Sequence, residues 1–66
     1  MKYKNFELTE FERVPGKWRV AIKRVDGATV QSKEVAFGQV ITYGDTLTAD
    51  LSIQEAKKLV DKGMID

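Results

Sequence analysis

Lys17-Trp18-Arg19-Val20-Ala21-Ile22-Lys23-Arg24-Val25 is the stretch on which the fold turns. Trp18, Val20 and Ile22 alternate with Lys17, Arg19, Ala21 and Lys23, a period of two that belongs to a strand with one buried and one wet face. Immediately before it, Val14-Pro15-Gly16 is a turn signal: proline presets one backbone angle, and glycine supplies the positive φ of the next position. Residues 5–13 then form the preceding strand, with Phe6 and Leu8 on one side. Phe11 falls on the other side, so a bulge near Thr9–Glu10 is expected to keep all three buried. The two strands make an antiparallel hairpin.

Downstream, Asp26-Gly27 predicts a second tight hairpin and a third strand from about Ala28. Its course is ambiguous because residues 31–34 are polar and the apolar run resumes only at residues 35–43; one long bulged strand and two short ones both fit. Gly44-Asp45 breaks that pattern, and residues 46–50 read as a loop laying Leu47 and Leu51 on the core. Ser52-Ile53-Gln54-Glu55 has the form of a capping box, with Leu51 before it as a staple, so a helix is expected over about 53–62. Ile53, Ala56, Leu59 and Val60 share its apolar face, and Gly63 followed by Met64 is suited to a left-handed helix stop.

The expected fold is therefore α+β: a single domain over residues 1–66, in which a three- or four-stranded antiparallel meander packs on one C-terminal helix. Its strands lie within residues 5–43. The expected core joins Phe6, Leu8, Trp18, Val20, Ile22, Phe37 and Ile41 to the helix.

Sixty-six residues with 42% hydrophobic and 32% charged side chains suffice for one small core. The chain has neither cysteine nor histidine, which removes disulfides and the ordinary zinc sites as sources of stability and leaves packing or self-association. No signal peptide or membrane-spanning stretch is readable, and a soluble, cytoplasmic protein without cofactors is the expectation.

A net charge of +1 conceals an uneven distribution. Residues 1–25 hold seven cations against Glu7, Glu10 and Glu12, whereas residues 26–51 set Lys33 alone against four carboxylates. Lys17, Arg19 and Lys23 form a stripe on the wet face of their strand, with Arg13 and Arg24 at its ends. Alternate residues on a strand stand about 6–7 Å apart, near the spacing of nucleic-acid phosphates, so the stripe suits a nucleic-acid backbone. The competing reading is cross-strand neutralisation by Glu7, Glu10 and Glu12. In its order of elements, with residues 17–24 running into Asp26-Gly27, the segment 16–62 resembles integrase amino-terminal and AP2-type DNA-binding domains. That resemblance implies DNA contact by the strand face opposite the helix, through Lys17, Arg19 and Lys23.

Residues 35–43 supply a second candidate, because Val35, Phe37, Ile41 and Tyr43 alternate with Ala36 and Val40 and leave apolar side chains on both faces. A homodimer or a protein partner at the sheet edge or face would cover the second side; a bulge at Gly38-Gln39 returning Val40 to the core is the alternative. The oxygen-bearing run Tyr43-Gly44-Asp45-Thr46, with Asp50 nearby, lacks the ligand number and order of a cation loop. No side-chain pair has the spacing of a catalytic site, so an enzyme is not expected. The sequence favours a non-enzymatic binding or interaction module of unknown role, with self-association or a protein partner at a sheet edge or face, ahead of a nucleic-acid-binding sheet.

Overall fold

The structure, a computed structural model, describes residues 1–33 and 37–66, with Phe37 described by its backbone alone. In chain order the elements are β1 (Lys2–Tyr3), β2 (Phe6–Val14), β3 (Lys17–Arg24), β4 (Val30–Gln31), β5 (Phe37–Gly38), β6 (Ile41–Thr46) and α1 (Ala49–Asp61). Four strands form an antiparallel sheet in the order β1-β2-β3-β6, and β4 and β5 pair separately. The helix packs on one face of the large sheet, against β2, β3 and β6. This is the expected α+β architecture, extended by the two-residue edge strand β1.

The β2–β3 hairpin sets the register. Pairs run without interruption from Phe6↔Arg24 through Leu8↔Ile22 and Glu10↔Val20 to Glu12↔Trp18. The turn follows with Gly16 at φ +82°, the conformation for which a Pro-Gly pair is suited. The expected bulge at Thr9–Glu10 is absent, and the irregularity falls between Glu12 and Val14 instead. Because the strict alternation of β3 matches a regular β2 throughout, Phe11 stays on the face opposite Phe6 and Leu8, where it is 36% exposed.

The Asp26-Gly27 turn does not return the chain along β3. Residues 30–38 contribute the two short strands of the separate pair, and β6 takes the place beside β3. Gly44-Asp45 lies inside β6 rather than ending it: Gly44 has φ +94°, and the β3–β6 register shifts at this point, so the glycine absorbs a bulge.

The core joins Phe6, Leu8, Val20, Ile22, Val30, Ile41, Ile53, Ala56 and Ile65, with Tyr3, Tyr43, Leu59 and Val60 packed around it. Trp18 is not a member. It is half-buried at the end of β3, opposite Glu12 and Thr46, beyond the rows that supply the cluster. Leu47 and Leu51 are likewise exposed, at 79% and 42%, rather than laid on the core. Ile65 enters the core because the chain turns back after the helix and pairs with the β4 segment, Gln31 and Asp66 exchanging backbone hydrogen bonds of 2.9 and 2.7 Å.

The helix begins one turn earlier than the capping-box pattern indicates. Thr48 is the N-cap, extended at φ −137° and ψ 158°, and its hydroxyl accepts from the Leu51 amide at 3.2 Å. Asp50 in the first turn complements the helix dipole. Ser52 is consequently interior and buried, its hydroxyl donating to the Ala49 carbonyl at 2.7 Å. At the other end Gly63, at φ +72°, closes a Schellman motif: Met64 N–H donates to the Leu59 carbonyl and Gly63 N–H to that of Val60.

Thr48→Ala is expected to cost about 1 kcal/mol in urea unfolding, whereas Ser52→Ala stays within about 0.5 kcal/mol because alanine favours a helix interior. Equal losses would return the cap to Ser52. Leu8→Ala removes a side chain with no exposed surface and is expected to cost about 2–5 kcal/mol, comparable to the whole stability of so short a chain, about 3–10 kcal/mol.

Candidate functional site

Strand alternation decides what each face of the sheet carries. On β2 the even positions Phe6, Leu8, Glu10 and Glu12 share the helix side, and Glu7, Thr9 and Phe11 point the other way. On β3 the outward positions are Lys17, Arg19, Ala21 and Lys23. Cross-strand pairing assembles these into rows: Lys2, Glu7 and Lys23; then Thr9, Ala21 and Thr42; then Phe11 beside Arg19. Thr9, Phe11, Lys17, Lys23 and Thr42 are all exposed.

Two arginines converge at one end of this face. Arg13 Nη1 and Arg19 Nη1 lie 3.5 and 3.4 Å from the same oxygen, Asp45 Oδ1. Arg19 Nη2 also stands 3.5 Å from the carbonyl and from the hydroxyl of Thr42. All four distances are at the long limit for hydrogen bonding, so both guanidiniums keep most of their donor capacity. Phe11, Arg13, Arg19 and Thr42 together line a shallow open cleft. Phe11 is the member the sequence reading missed; strict counting of β2 parity without the assumed bulge was the signal available for it.

Arg24 does not belong to the stripe. It shares the helix-side parity of Val20 and Ile22, lies 5.9 Å from the Phe6 ring centre, and makes two 3.1 Å hydrogen bonds to the Asp26 carboxylate. That contact raises the Arg24 pKa and, with the Ala28 amide, lowers that of Asp26.

The expected neutralisation by neighbouring glutamates largely fails. Glu10 and Glu12 sit on the helix side of the sheet, where the Glu12 carboxylate accepts from the Gly16 amide at 3.1 Å. Glu7 faces Lys23 in the register, yet among the described residues neither Lys17 nor Lys23 forms an ion pair. Among the described residues the outer face thus holds Lys2, Arg13, Lys17, Arg19 and Lys23 against two carboxylates, Glu7 and Asp45.

The described residues among those considered for a protein interface take different places. Ile41 is a core residue and Tyr43 packs against the core; Val40 is 56% exposed. Val35, and the side chain of Phe37, lie outside what is described. Asp45, considered within an oxygen-rich loop, is engaged by the two arginines.

No protein-family model matches the chain, and comparison with curated proteins and with solved structures finds no match. Among the described residues no helix is long and apolar enough to cross a membrane.

A second charge cluster is structural. Asp61, in the last turn of α1, accepts from Lys4 Nζ at 2.6 Å and from the Tyr3 hydroxyl at 2.8 and 2.9 Å, tying the β1–β2 turn to the helix. Hydrogen bonds from Lys4 and then Tyr3 hold the Asp61 carboxyl below its ordinary 3.8, and the contact to Asp61 raises both partners. A carboxyl with a lowered folded pKa stabilises the fold above its unfolded pKa and loses that contribution as pH falls through the folded value. The melting temperature is therefore expected to drop below pH 3.8, with Asp61→Asn flattening the drop. An identical acid profile in Asp61→Asn would show that the contact contributes nothing.

Proposed function

We propose that the protein is a nucleic-acid-binding module that uses the helix-free face of its β-sheet. The observation that carries this reading is the segregation of charge by strand parity: among the described residues five cations stand on the outer face against Glu7 and Asp45, while Glu10 and Glu12 are turned to the helix side. A face of this kind attracts a polyanion through counterion release, which requires no pocket and no catalytic group. Phosphates engage the arginines and lysines, and the sheet fixes their spacing.

Self-association receives less support. β6 is an edge strand, but it carries a glycine bulge and Asp45, devices that discourage edge-to-edge pairing. Of the apolar residues expected to form the interface, Ile41 and Tyr43 are committed to the core.

The test is fluorescence anisotropy with labelled single-stranded and duplex oligonucleotides between about 50 and 200 mM salt. Binding is expected to weaken steeply with salt, and Lys17→Ala with Lys23→Ala to reduce the slope of log affinity against log salt by about 1 per lysine removed. Asp45→Asn, which removes the anion that competes for Arg13 and Arg19, is expected to tighten binding. Salt-independent association, or none, would refute the reading.

A further inference from the structure

We infer that the ligand of this face is single-stranded nucleic acid, with one base stacked on Phe11 and the adjoining phosphate held by Arg13 and Arg19. The inference rests on the nucleic-acid reading above and adds which form of nucleic acid fits.

Two features select an unpaired strand. The first is the position of an aromatic ring among cations. Phe11 is 36% exposed on the outer sheet face, in the register pair next to Arg19, and shares an open cleft with Arg13, Arg19 and Thr42. In a duplex each base has both faces covered by its neighbours, so an aromatic platform gains nothing from it unless a base is extruded; in a single strand the face is available. The second is the row beside the ring. Thr9, Ala21 and Thr42 are small, and they separate the Phe11–Arg19 pair from the row of Lys2, Glu7 and Lys23. A shallow trough follows, running across the strands, with the platform and arginines on one bank and Lys2 and Lys23, with Glu7 between them, on the other. Its banks stand four residues apart along each strand, about 13 Å, which is wide enough for one strand.

Asp45 Oδ1 marks where the phosphate goes. Two guanidiniums already share that anionic oxygen, at distances long enough for a phosphate with more acceptor oxygens to replace or join it. Stacking on Phe11 and anchoring at Arg13 and Arg19 then act on adjoining parts of one nucleotide.

The experiment compares binding of a short oligothymidylate, the matching oligouridylate and a duplex of equal length to wild type, Phe11→Leu and Phe11→Trp. Leucine keeps an apolar side chain without a π-face, and tryptophan enlarges the platform; because Phe11 lies outside the core, both variants are expected to fold. Wild type is expected to prefer the single strands by roughly tenfold or more. Phe11→Leu is expected to lose about fivefold to a hundredfold in single-strand affinity with little change for the duplex or in the salt slope, and Phe11→Trp to retain affinity, with its added fluorescence quenched on binding. Salt-dependent binding that favours the duplex, or is indifferent to Phe11→Leu, overturns this inference and leaves the nucleic-acid reading standing. Failure to bind any of the three probes removes both.

Discussion

The unbroken antiparallel ladder between Phe6–Glu12 and Trp18–Arg24 is the constraint from which the remaining structure follows. Side chains alternate with a period of two, so a slip of one residue would exchange the two faces of the hairpin entirely. The pairing Leu8↔Ile22, two fully buried side chains, fixes the register at its centre. Everything else is placed by it: the helix covers Phe6, Leu8, Val20 and Ile22, the chain end adds Ile65, and the opposite face receives Phe11, Arg19 and the lysines. Fold and candidate site are two sides of one set of hydrogen bonds.

That coupling explains why a chain of this size leaves an aromatic ring exposed. Burying Phe11 would gain at most about 1.5–3 kcal/mol, and the bulge needed for it would disrupt the ladder that positions the buried pairs. The irregularity falls instead at Arg13, close to the turn. Arg13, an odd position like Phe11, stays on the outer face and reaches the same carboxylate oxygen as Arg19.

Legibility in the sequence tracked how local the deciding interaction was. The hairpin, the helix, its apolar face and its Gly63 stop were readable because periodicity and a single glycine determine them. The helix start was misplaced because Thr48 and Ser52 both offer a capping hydroxyl, and only the three-dimensional path of Thr46–Ala49 selects the first. Val30 and Ile65 were missed as core residues because they meet through a long-range pairing between the chain end and β4, which no local pattern announces. Of the basic stripe, Lys17, Arg19 and Lys23 share the outer face as read, and Arg13 joins them. Arg24 does not, being drawn to Asp26 two residues away. Phe11 was hidden by the assumption that an aromatic residue in a short chain must be buried, an assumption that strand parity overrides here.

The ligand site proposed above is the helix-free face, in the trough beside Phe11, and its test is amide chemical-shift mapping of isotope-labelled protein titrated with a short single strand. The account predicts movement concentrated at Thr9, Phe11, Arg19, Ala21 and Thr42, spread over three adjacent strands and saturating together, while Ile53, Ala56 and Leu59 on the helix remain still. Saturable shifts confined to the helix or to the exposed Leu47–Leu51 segment, with the outer rows of the sheet unmoved, would contradict it.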